Sequence, residues 1–151
     1  MLLDAGADPN TNNGARPHHG YRSALHGSVS ANNPVITRLL LQRGANPNDG
    51  ESLYQAAGHP DHRCLRLLLD HGAELDARDA NFNGTPLGFA TVTSGVHPES
   101  NSDWVATVRL LLHAGADPTG VWVPAMAPRE DVADVLRSYG ITGTDNAVPG
   151  A

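Results

Sequence analysis

Cysteine is almost missing from this chain of 151 residues: Cys64 stands alone, so an intramolecular disulfide and a multi-cysteine metal site are both excluded. A reducing compartment fits that usage. Lysine is missing altogether, and all ten cationic side chains are arginine. This matches a composition bias that accompanies the abundant Ala, Gly, Asp and Pro. Aromatic residues are 5%, so a core must be built from Leu, Val, Ile and Ala, which suits small stacked helices better than a β-sandwich. No run of about 18 apolar residues occurs, and the N-terminus has neither the basic region nor the apolar core of a secretion signal. No basic run occurs either, and a formal charge of −6 opposes general binding to phosphate backbones. The expectation is a soluble, cytoplasmic chain with neither nucleic acid nor membrane as partner.

What the chain does have is repetition. Leu2-Leu-Asp-Ala-Gly-Ala-Asp-Pro-Asn10 is followed by Leu39-Leu-Leu-Gln-Arg-Gly-Ala-Asn-Pro-Asn48, by Leu67-Leu-Leu-Asp-His-Gly-Ala-Glu-Leu-Asp76 and by Leu110-Leu-Leu-His-Ala-Gly-Ala-Asp-Pro118. Val135-Leu-Arg-Ser-Tyr-Gly-Ile141 reads as a worn fifth copy. The marker glycines Gly6, Gly44, Gly72, Gly115 and Gly140 lie 38, 28, 43 and 25 residues apart. Glycine at such a point ends a helix by taking the left-handed conformation that other residues adopt at a cost.

Upstream of each marker runs a helical pattern such as Pro34 to Arg43, in which Ile36, Leu39 and Leu40 recur at three- and four-residue steps. A shorter helical stretch comes before it: Ser23 to Val29, Glu51 to Ala57 and Thr85 to Thr91. Between units sit turn dipeptides, Asn13-Gly14, Asp49-Gly50 and Asn83-Gly84, with Thr119-Gly120 as a weaker counterpart; Asn-Gly and Asp-Gly favour tight turns with positive φ. Each unit is therefore a turn, a helix, a second helix and a cap.

These features resemble the ankyrin repeat family. Thr85-Pro86-Leu87 matches its helix-opening Thr-Pro-Leu-His, Ser23-Ala-Leu-His26 matches it in part, and Leu-Leu-Leu-x-x-Gly-Ala-Asp-Pro matches its helix end. The resemblance implies an all-α solenoid of stacked helix-turn-helix repeats with projecting turns, about three full repeats plus partial terminal units. The expected layout is an array over 1–140, with a partial unit 1–10, repeats near 11–48, 49–76 and 77–118, a degenerate C-terminal cap 119–140 and a flexible tail 141–151. Cys64, Leu65, Leu68 and Leu69 are expected in the core between repeats. The chain opens as if on the last turn of a second helix, which leaves three options: a fragment of a longer array, a wrongly assigned start, or a first turn covered by a partner.

Departures from the repeat carry information. The first turn is lengthened and contains Arg16, His18, His19, Tyr21 and Arg22. The third unit is longer by nine residues between Thr85 and Gly115, which predicts a loop over 94–103, with Ser102 as N-cap of a helix starting near Asp103. Two prolines in Val121 to Arg129 replace a first helix, and Trp122 there is expected to pack rather than bind.

Catalytic signals are missing: there is no Gly-rich phosphate loop, nucleophile elbow or His-Glu-x-x-His. Asn83-Gly84-Thr85 fits a glycosylation acceptor by letter only. Of eight histidines, His26 falls where the resemblance implies a scaffold hydrogen bond, while His71 and His113 sit before cap glycines, where histidine interacts favourably with a helix C-terminus. The pairs His18-His19 and His59 with His62 supply two ligands each, whereas a metal site needs three or four. No cofactor and no metal are expected. The leading expectation is thus a non-catalytic, monomeric interaction module. Its resemblance places the partner-facing positions at Ser30, Ala31, Gly58, His59, Val92 and Thr93, together with Arg16, His18, His19, Tyr21 and Arg22 of the long turn. The alternatives are a metal-dependent or enzymatic protein using His18, His19, His59 or the 94–103 loop, and the scaffold arm of a larger protein.

Overall fold

The computed structural model describes residues 3–10, 23–78, 84–97, 103–119 and 128–141. Seven helices and no strand occur among them: α1 Ala24–Ser30, α2 Pro34–Gln42, α3 Ser52–Ala57, α4 Arg63–Asp70, α5 Pro86–Val96, α6 Trp104–Ala114 and α7 Glu130–Ser138. They pair as hairpins α1/α2, α3/α4 and α5/α6, and α7 packs on α6. Across the hairpins, α1, α3 and α5 form one row and α2, α4 and α6 a second. This is the stacked, all-α arrangement expected from the repeat.

The first helix of a hairpin begins on a side-chain cap. Ser23 Oγ accepts the His26 N–H at 2.9 Å, and Thr85 Oγ1 accepts the Gly88 N–H at 3.2 Å. Helix α3 has no such cap on its own preceding residue. Asp49 substitutes, accepting the Ser52 N–H at 2.8 Å and also receiving the hydroxyl of Ser23 from the unit before. Gly50 beside it has φ of 88°. Of the other expected turns, Asn83, Asn13, Gly14 and Gly120 lie outside the described residues.

Second helices all end alike. The five marker glycines have φ of 89, 90, 82, 101 and 76°, a region closed to most L-residues, and this is why glycine recurs there. The residue after the glycine donates back to the carbonyl five positions earlier: Ala45 to Leu40 at 2.9 Å, Ala73 to Leu68 at 3.1 Å, Ala116 to Leu111 at 3.0 Å and Ile141 to Leu136 at 3.0 Å. With the glycine N–H bonded to the next carbonyl along, each end is a Schellman motif, whose apolar closing pair is buried in all four copies.

Counting back from the glycine, the buried face falls at four, seven and eight residues: Leu68, Leu65 and Cys64 in α4, Leu111, Val108 and Thr107 in α6, Leu136, Ala133 and Val132 in α7. Each fully buried leucine contributes on the order of 1.5–3 kcal/mol. In α2 the same face is Leu40 and Thr37, joined by Leu41, whereas Ile36 is 42% exposed. This corrects the expected apolar stripe of Ile36, Leu39 and Leu40. The position of Ile36 corresponds to that of Cys64, which contacts Thr37 and Asn32 of the unit before it; on that side of α2 the described residues supply only the turn Leu3 to Asn10. Leu69 is partly buried, and the other three residues expected between repeats are in the core.

Polar rungs join the units as well. Asn10 Oδ1 accepts the Asn46 N–H at 2.7 Å, Asn48 Oδ1 accepts the Glu74 N–H at 2.7 Å, and Asp76 Oδ1 accepts the Asp117 N–H at 2.8 Å. Acceptor and donor are always the fourth residue past one cap glycine and the second residue past the next. The acidic or amide ending of the repeated phrase is therefore a ladder between turns, satisfying backbone donors that have no helix partner.

Helix α5 departs from the expected boundaries. Ser94, Gly95 and Val96 continue the helix, which corrects the start of the loop predicted over 94–103 and gives an α5 of 11 residues against 7 in α1; residues 98–102 lie outside the described residues. Ser94 is buried, donates to the Thr91 carbonyl at 2.6 Å and accepts the Arg129 N–H at 3.2 Å, which ties the extension to the start of α7. The cap of α6 is Asp103, accepting from the Ala106 N–H at 3.0 Å, and the helix begins at Trp104; Ser102 lies outside the described residues. Trp122 and the tail beyond Ile141 also lie outside them, while Ile141 itself is buried.

Candidate functional site

The inner row α1, α3 and α5 presents the same register in each unit. Ser30 and Ala31 at the end of α1 are exposed; Gly58 and His59 at the end of α3 and Val92 and Thr93 within α5 are half-buried. Each pair lies seven and eight residues past the residue preceding its helix, Ser23, Glu51 or Thr85. The three pairs thus come from consecutive units on one row. Arg16, His18, His19, Tyr21 and Arg22 lie outside the described residues.

Several of these positions have packing duties. A Cβ on Gly58 would fall 2.1 Å from Phe89 Cε1, so the ring of the next unit rests directly on that glycine. Phe89 also stacks on Tyr54, with ring centroids 4.2 Å apart and planes 22° from parallel. Thr93 Oγ1 donates to the Phe89 carbonyl at 2.7 Å. His59 Nδ1 is buried and has no hydrogen-bond partner among the described residues.

Three further histidines, His26, His71 and His113, contact the scaffold. His26 is buried, its Nδ1 3.5 Å from Ser30 Oγ. His71 Nδ1 lies 2.8 Å from the Leu67 carbonyl at the end of α4, and the ring of His113 faces Tyr139 with centroids 6.2 Å apart. Among the described residues no group of three or more His, Cys, Asp or Glu is placed to hold a metal. Burial pushes the Cys64 thiol above its ordinary range, which disfavours the reactive thiolate.

The outer row carries a feature that sequence pattern alone leaves among solvated residues. Arg38, Arg66 and Arg109 are exposed and stand six residues before their cap glycines, one per unit. Between α2 and α4 lies an open depression of about 400 Å³, lined by Pro34, Val35, Arg38, His62, Arg63, Arg66, Leu67 and Asp70. Arg63 is held by Asp61, whose carboxyl is drawn far below its ordinary range chiefly by that hydrogen bond. The available signal was the arginine recurring at one register. A second hollow, beside Tyr54 and Pro86, measures about 20 Å³ and has room for little beyond a single water.

No helix among the described residues is long and apolar enough to cross a membrane. A family model described as "Ankyrin repeats (3 copies)" matches residues 1–79, slightly over half the chain. The human protein named ankyrin repeat and SOCS box protein 6 is 32% identical over 104 residues, 64% of this chain and 24% of that protein. Human ankyrin repeat and SOCS box protein 2 is 45% identical over 82 residues, 50% of this chain and 13% of that protein. A putative ankyrin repeat-containing protein of Treponema pallidum is 45% identical over 56 residues, 34% of this chain and 19% of that protein. The chain spans a quarter or less of the length of these relatives.

Proposed function

Because the chain belongs to the ankyrin repeat family, we propose that it is a non-catalytic module that holds a partner protein on its inner row of helices and the turns leading into them. Repeats of this family are generally protein-protein interaction modules and typically lack enzymatic activity. The reading for this chain rests on one observation: three consecutive units offer the pairs Ser30/Ala31, Gly58/His59 and Val92/Thr93 at one register, outside the fully buried core. Such an array suits an extended, flat contact better than a small-molecule pocket. Arg16, His18, His19, Tyr21 and Arg22, from the lengthened segment between Gly6 and Ser23, are included in the proposed contact on the family resemblance alone. Tyr21 and Arg22 are the proposed anchors, because tyrosine and arginine dominate interface energetics.

The chain is proposed to act as a monomer in the cytoplasm, as a scaffold component and without a cofactor. A second reading, the binding arm of a larger protein, is favoured by the small share of each relative that the match covers. Affinity capture with mass spectrometry tests the main proposal. The unaltered chain should retain a partner that a Ser30→Glu/Thr93→Glu variant loses and an Arg109→Glu variant keeps, with all three equally folded by circular dichroism. Equal retention by the first variant would refute the assignment of the inner row.

A further inference from the structure

The depression between α2 and α4 lies on the outer row, away from the face proposed above, and its lining combines two chemistries. Val35 is 73% exposed, the largest exposure among the large apolar residues described, and Leu67 and Pro34 continue the apolar floor. Around it stand four basic side chains, Arg38, His62, Arg63 and Arg66, and one acidic one, Asp70. Asp61 neutralises Arg63. Arg38 and Arg66 form no ion pair among the described residues, and Asp70, four residues after Arg66 on α4, does not close on it. Arg38 and Arg66 are therefore open guanidinium groups beside an exposed aliphatic patch.

We propose that this depression is a second docking site, taking an acidic peptide segment that carries one aliphatic side chain. Carboxylates of the segment pair with Arg38 and Arg66, since the planar guanidinium matches a carboxylate with two parallel hydrogen bonds. The aliphatic side chain covers Val35 and Leu67 and removes them from water. Charge complementarity favours an anionic occupant at Arg38 and Arg66, and the apolar floor favours a peptide over a polyphosphate, which would leave Val35 and Leu67 uncovered.

The test uses the full chain and a fluorescein-labelled hexapeptide, Glu-Asp-Glu-Leu-Glu-Asp, followed by anisotropy. Binding should be saturable and should weaken as salt rises, because both partners are exposed. An Arg38→Ala/Arg66→Ala variant should bind about tenfold more weakly. The Ala7→Glu/Ala114→Glu variant, equal in net charge but altered elsewhere, should change affinity by less than about threefold. Replacing the peptide leucine with serine should also weaken binding. Undetectable binding, equal loss in the two variants, indifference to the leucine, or comparable affinity for a labelled oligothymidylate would each overturn the proposal. Unchanged thermal unfolding of both variants separates loss of the site from loss of the fold.

Discussion

At the residue scale, positions that look interchangeable in the sequence separate once their backbone is known. Gly72 and Gly27 both have open space around a would-be Cβ, yet Gly72 has φ of 82° and Gly27 is an ordinary residue of α1. Gly72→Ala should destabilise the chain by about 1–2 kcal/mol, and Gly27→Ala should stabilise it by about 0.4–1 kcal/mol, both measured by urea denaturation. Gly58→Ala should cost about 1–3 kcal/mol for a different reason, since the methyl group would displace Phe89 from its stack on Tyr54. Asn48→Ala removes the acceptor for the Glu74 N–H and should cost about 0.5–1.5 kcal/mol, an exposed donor being able to turn to water. The cap glycines were legible because the left-handed region selects glycine so strongly. The role of Asn48 was not, because its partner lies 26 residues away and only stacking brings the two together.

At the scale of elements, boundaries were legible where a cap or a proline marks them and illegible where tertiary contact extends a helix. Thr85-Pro86 announces the start of α5, but Ser94 and Gly95 read as loop residues. The helix passes through them because Ser94 finds a buried place against Arg129. The stripe on α2 failed similarly: three- and four-residue steps select a face but not the neighbour that covers it, so Ile36 is left exposed. Between α3 and α4, Asp61 accepts hydrogen bonds from Asn32 of the previous unit and from Arg63. The Arg63 side chain, the largest influence, lowers the folded pKa of Asp61 below the ordinary value of 3.8, and the unfolded chain lacks that contact. A lowered folded pKa gives stability that is present above the ordinary value and lost as pH falls below it. The urea midpoint should therefore fall between about pH 5 and about pH 2, and the fall should be smaller in Asp61→Asn. An identical profile in that variant would mean that the pair contributes nothing to folding.

At the scale of the whole molecule, the fold class was the most legible feature and the candidate site the least. The repeated phrase carries its own turn and cap chemistry, so a repeated helix pair with a period near 33 residues followed from the residues, and the resemblance supplied the stacking. The partner-facing positions came from the resemblance. Only Ser30, Ala31, Gly58, His59, Val92 and Thr93 fall within the described residues, and Gly58 proves to be a seat for Phe89 as well. The arginines of the outer row escaped notice because exposed charge on a helix is ordinarily solvated, and their shared groove exists only once α2 and α4 lie side by side.

The central claim is that units stabilise their neighbours along a line, with no nucleus common to all. Native-state hydrogen exchange on Leu136→Ala tests it most directly, since that change should cost about 2–5 kcal/mol within α7. Protection should collapse in α7, drop in α6 and α5, and be nearly unchanged in α1 and α2. An equal loss of protection in every helix would contradict the claim, because it would mean that one shared core holds all seven.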